Sequence, residues 1–110
     1  MNILLVEDNE GDIELTQWAF KKRNLAASLS VAHNGVEALD YLNRQGAYAD
    51  AATPDLILLD LNMPRMGGRQ LLDIVKKDGR LKAIPVVVLT SSNAPQDIQG
   101  CYEAHANCYI

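Results

Sequence analysis

Short, mostly continuous apolar runs recur along this chain, each followed by a segment of helical period. That alternation restricts the fold more than any other feature. The runs fall at Asn2–Val6, Leu29–Ala32, Leu56–Leu59 and Ile84–Leu89. A strand with one wet face alternates apolar and polar residues, whereas a continuous apolar run implies a strand covered on both faces. Between the runs, Leu15, Trp18, Ala19 and Lys22 fall on one helical stripe from Asp12 to about Arg23. Asp12 is placed to cap that helix, and Lys21, Lys22 and Arg23 suit the negative end of its dipole. Asn34-Gly35 marks a turn, and Val36, Leu39 and Leu42 then face inward from a helix ending near Gly46. A loop covers Ala47–Pro54. Beyond Gly67-Gly68, a further helix turns Leu71, Leu72 and Val75 inward and stops near Asp78-Gly79. A polar loop at Ser91–Pro95 precedes a fourth helix through Ile98, Cys101, Tyr102 and His105, and Cys108–Ile110 opens a fifth strand. Strand and helix alternate four times before that strand. The pattern predicts an α/β fold with a doubly wound, parallel, five-stranded sheet and helices on both faces.

The 110 residues suffice for one domain with its own core. Hydrophobic residues make up 48% and charged residues 22%, which excludes intrinsic disorder. No apolar run approaches the length of a transmembrane helix, and no basic segment leading into an apolar stretch opens the chain as a secretory signal would. Fourteen acidic residues against ten basic ones give −4, which disfavours nucleic acid and anionic membrane as partners. Cys101 and Cys108 form neither a disulfide framework nor a C-x-x-C pair, and a reducing cytoplasmic setting suits them. His33 and His105 lack metal-ligand spacing and read as surface or core-edge residues.

Open parallel sheets bind ligands beyond the carboxyl ends of their strands. Here the first strand ends in Glu7-Asp8, the third in Asp60, and the fourth in Thr90, followed by Ser91 and Ser92. Taken singly, each has a structural reading: a helix-start cap, a turn residue, a turn hydroxyl. Together they place three carboxylates and a hydroxyl at one edge of one sheet. Clustered carboxylates repel and raise one another's pKa. A hard divalent cation such as Mg²⁺ relieves that repulsion through one or two carboxylates, water and phosphate oxygens. A carboxylate in such a site can attack phosphorus and form an aspartyl phosphate.

The same residues form motifs: Ile3-Leu4-Leu5-Val6-Glu7-Asp8-Asn9, then Leu58-Leu59-Asp60-Leu61-Asn62-Met63-Pro64 with Gly67-Gly68, then Pro85-Val86-Val87-Val88-Leu89-Thr90-Ser91. In order and spacing, over essentially the whole chain, they resemble the receiver domain of two-component response regulators, a flavodoxin-like fold. The resemblance implies that Asp60 is the phosphoacceptor and that Glu7 and Asp8 hold Mg²⁺ with Asp60 and the backbone carbonyl of Asn62. It implies that Thr90 is the switch hydroxyl and Tyr109 the aromatic switch. The implied partner is a histidine kinase docking on the first helix. The resemblance further implies a domain that catalyses only its own phosphotransfer and dephosphorylation and is not otherwise an enzyme. The loop Gly46-Ala47-Tyr48-Ala49-Asp50 resembles that of stand-alone receivers paired with phytochrome-type histidine kinases. The family's lysine, three positions after the aromatic switch, would fall beyond Ile110, as would its proline and fifth helix. Residues 1–110 therefore read as a single, C-terminally shortened receiver domain, unless further residues follow Ile110. If none do, the expectation is impaired phosphorylation, exposed apolar surface, and instability, self-association as a homodimer or domain exchange.

Other functions remain open on the residues alone. A non-phosphorylated receiver-like interaction module fits the shortened end but not the retention of Glu7, Asp8, Asp60 and Thr90. A Mg²⁺-dependent aspartyl phosphatase would need a second carboxylate where Asn62 stands. A flavodoxin-like electron carrier needs a phosphate-cradling loop where Glu7-Asp8-Asn9-Glu10 stands.

Overall fold

The structure, a computed structural model, describes residues 1–23, 27–60, 68–89 and 108–109. The strands are β1 (Asn2–Val6), β2 (Ser28–Ala32), β3 (Leu56–Asp60), β4 (Val86–Leu89) and the short β5 (Cys108–Tyr109). The helices are α1 (Glu10–Lys22), α2 (Gly35–Leu42) and α3 (Gly68–Lys77). The strands lie in the order β2-β1-β3-β4-β5, and every pairing is parallel. The α/β reading and its five parallel strands therefore hold. The fourth helix expected around Ile98–His105 lies outside the described residues.

Strand periodicity explains how continuous apolar runs build two cores. Successive side chains point to opposite faces. Leu4, Val6, Ile57, Leu59, Val86 and Val88 are buried on one face with Ala38 and Leu42 of α2 and Leu71, Leu72 and Val75 of α3. Ile3, Leu5 and Leu58 face the other way, onto Ile13 of α1, with Phe20 packed alongside. The inward residues of α3 are those its spacing predicts. In α2, Ala38 and Leu42 are buried while Leu39 packs at the margin. The strand expected to start at Ile84 starts at Val86, and Ile84 is buried in the preceding turn. Among the described residues no helix is long and apolar enough to cross a membrane.

The stripe expected on α1 is wrong. Leu15 and Trp18 are 64% and 59% exposed, and Lys22 lies 4.8 Å over the Trp18 ring. The buried face runs through Ile13 and Phe20, seven residues apart. Both stripes carry two large apolar side chains at helical spacing, so periodicity alone could not choose between them. The cap is also Asn9 rather than Asp12: Asn9 Oδ1 accepts the Asp12 amide at 2.9 Å.

The loop expected over residues 47–54 begins inside a short 3-10 turn, Gly46–Tyr48. Before it, α2 ends in a Schellman motif: Gln45 N–H donates to Asp40 O and Arg44 N–H to Tyr41 O. That motif puts Arg44 at φ 55°, a conformation costly for a side chain with a Cβ. Its guanidinium donates to Thr53 Oγ1 at 3.1 Å, which offsets part of the cost. Arg44→Gly is expected to stabilise the fold by about 0.5 kcal/mol, read by urea unfolding, because relief of strain slightly exceeds the entropy glycine adds to the unfolded chain.

Candidate functional site

The carboxyl end of β1 sets the site. Glu7 N–H donates to Ala32 O at 2.9 Å, extending the β1–β2 ladder one residue past Val6. Val6 pairs with Leu59 on the other side, so Glu7 and Asp60 follow side by side on neighbouring strands. Asp60 in turn pairs with Leu89 of β4. Asp8 leaves the sheet toward the first turn of α1.

These placements bring together carboxylates more than fifty residues apart in sequence. Glu7, Asp8 and Asp60 each offer an oxygen within 4.8 Å of the others; Glu7 and Asp60 are half-buried and Asp8 is exposed. Glu7 Oε2 accepts the Asp8 amide at 3.0 Å and the Asn9 amide at 3.4 Å. Those amides favour the ionised carboxylate. Burial, a side-chain hydrogen bond to Asp60 and the Asp60 charge work against them and prevail. The Glu7 carboxyl is pushed from its ordinary value of 4.5 up to about 8. At neutral pH the pocket therefore holds a proton between two carboxylates unless a cation takes its place. An all-oxygen donor set suits a hard divalent ion. The residues present fit such an ion.

Asn9 escaped sequence reasoning as a contributor. It caps α1 through its side chain, and its backbone amide points at Glu7. An asparagine three residues before an acidic residue at a helix start is the signal that points to it.

Of the other expected site residues, Asn62 and Thr90 lie outside the described residues. Tyr109 is placed by its backbone only, in β5 opposite Val88. His105 and Cys101 also lie outside the description. His33 is on the surface, as expected.

The chain matches the family model described as "Response regulator receiver domain" over residues 3–110. It is 44% identical over 108 residues to the response regulator Rcp1 of Synechocystis sp., spanning 98% of this chain and 74% of that protein. Among solved structures, the phosphorylated cyanobacterial phytochrome response regulator RcpA superposes with a TM-score of 0.93 at 48% identity, over 99% of this chain and 78% of that one. The Mn²⁺-bound form of Rcp1 gives 0.93 at 43% identity, with 99% and 78% covered. With fold, sequence and the acidic rim in agreement, this chain belongs to the response regulator receiver family: it is the receiver domain of a two-component response regulator.

Proposed function

We propose that Asp60 accepts a phosphoryl group from the phosphohistidine of a histidine kinase, with Mg²⁺ held by Glu7, Asp8, Asp60 and the Asn62 carbonyl. The convergence of the three carboxylates at the rim carries this reading. The Mn²⁺-bound relative supports a divalent ion in the same fold. When bound, the ion neutralises the pocket and the charge that develops on the transferring group.

The chain's own residues do the rest. Asp60 presents a carboxylate oxygen in line with the phosphorus. Its new P–O bond forms as the P–N bond to the donor imidazole breaks, and that ring leaves with the bonding electron pair. With a divalent ion held by these residues, the Glu7 proton would pass to solvent, which would free the Asp60 carboxylate from its hydrogen bond to Glu7. The backbone amides of Asp8 and Asn9 hold Glu7 in place meanwhile. Thr90 then donates to the new phosphoryl oxygens, and Tyr109, on the neighbouring strand, responds to its movement. The outcome is a change in a protein-interaction surface rather than turnover of a substrate.

The kinase is proposed to approach over α1. Leu15 and Trp18 are exposed on α1, the helix that follows Asp8, and with Gly11, Glu14 and Gln17 they line a shallow open pocket on its outer face. Phytochrome response regulators among the relatives favour a phytochrome-type kinase as donor. The proposal is tested by mixing the chain with a ³²P-phosphorylated histidine kinase domain. Label should move to the chain, chelation with EDTA should stop the transfer, and Mg²⁺ should restore it. Transfer at full rate in EDTA would overturn the metal-dependent reading.

A further inference from the structure

A second polar cluster sits on the same rim, one strand away from the acidic pocket, and phosphotransfer does not use it. His33, the residue after β2, meets a carboxylate at each ring nitrogen. Nε2 lies 3.4 Å from Glu10 Oε1 on α1, and Nδ1 lies 3.4 Å from Glu37 Oε1 on α2. Glu37 is engaged further: Tyr48 OH donates to it at 3.1 Å and Asn34 Nδ2 at 3.4 Å. Tyr48 belongs to the 3-10 turn and packs on Tyr41 of α2, ring centroids 5.4 Å apart. The charged or titratable groups around His33 are thus Glu10 from α1, Glu37 from α2 and, beyond Glu37, Tyr48, with Asp40 acting on the Tyr48 phenol.

An ionised carboxylate only accepts hydrogen bonds, and a neutral imidazole has only one N–H to donate. Carboxylates at both nitrogens can both accept from the ring only when it is the imidazolium; otherwise at least one of them turns to water, which the exposure of Glu10 allows. We propose that Glu10–His33–Glu37 is a proton-operated clasp that ties the first turn of α1 to α2 and the Tyr48 turn, closed when His33 is charged and open when it is neutral. Histidine is the side chain whose charge most readily changes between mild acid and mild alkali, and that property of the residue type sets the pH values at which the clasp is compared. Burial and the Glu37 and Asp40 charges raise the Tyr48 pKa, so Tyr48 remains a donor throughout and anchors the α2 side. The consequence is that α1 is coupled to α2 in mild acid and released in mild alkali. The clasp stands on its own geometry, whichever residue accepts phosphorus.

Amide hydrogen exchange on the whole chain, in saturating Mg²⁺ and corrected for intrinsic rates, tests it. The Asp12 and Ile13 amides close the first turn on Asn9. In the wild type they should be about two- to fivefold better protected at pH 5.5 than at pH 8, the size expected of exposed ion pairs. His33→Gln, neutral at both pH values, should remove the step and leave the turn open. His33→Lys, a fixed cation, should hold protection at both. A step of equal size in His33→Gln, or no step in the wild type, would overturn the clasp.

Discussion

Asp60→Asn is expected to abolish phosphorylation. Label from a phosphorylated kinase, or from a small acyl phosphate donor, should fall by roughly 10⁴-fold, to background, as when a covalent nucleophile is removed elsewhere. The amide is nearly the size of the carboxylate and keeps a hydrogen-bond acceptor for Glu7. It lacks the ionised oxygen that attacks phosphorus. Because Asp60 contributes both a hydrogen bond and a charge to the high Glu7 pKa, the variant should also fold at least as well as the wild type. Unchanged circular dichroism would separate lost chemistry from lost structure. In the wild type the label should be released by hydroxylamine, as an acyl phosphate is. Labelling of Asp60→Asn at the normal level would place the phosphate on another residue and overturn Asp60 as the acceptor.

Without a divalent ion, the fold should lose stability as the pH rises. Glu7 titrates near 4.5 when unfolded and near 8 in the folded pocket. The native state therefore binds this proton more tightly than the unfolded chain does. The stabilisation is full below pH 4.5, declines between about 4.5 and 8, and is gone above that. Glu7 is only partly buried, so solvent screening reduces the effect to about 1–2 kcal/mol. That corresponds to several degrees of Tm in a domain of this size. The measurement is Tm against pH in EDTA for wild type and Glu7→Gln. The wild-type curve should fall more steeply through the window, and saturating Mg²⁺ should flatten it. Parallel curves for the two proteins would mean that Glu7 ionises freely and that the carboxylates do not share a proton.

The strands and the acidic residues that end them were legible because both signals are local. A run such as Leu56–Leu59 is apolar whatever surrounds it, and Asp60 follows it in the chain. The inward residues of α3 were legible too, since its apolar positions form one stripe. On α1 two stripes competed, and the sheet selected Ile13 and Phe20 over Leu15 and Trp18. The same choice left Leu15 and Trp18 on the solvent side of α1 rather than in the core. The cap moved from Asp12 to Asn9 because β1 ends at Val6 and the helix begins soon after, leaving Asn9 in extended backbone with its side chain over the first turn.

The order of residues was enough to specify a parallel sheet with carboxylates at its rim, because strand formation, chain direction and residue type are properties of short segments. Only the folded chain decided that Glu7 keeps a proton near neutral pH, and only there does His33 bridge two helices. A pKa or an ion pair depends on distances between groups far apart in sequence and on the water excluded between them, and neither exists until the sheet brings those groups together.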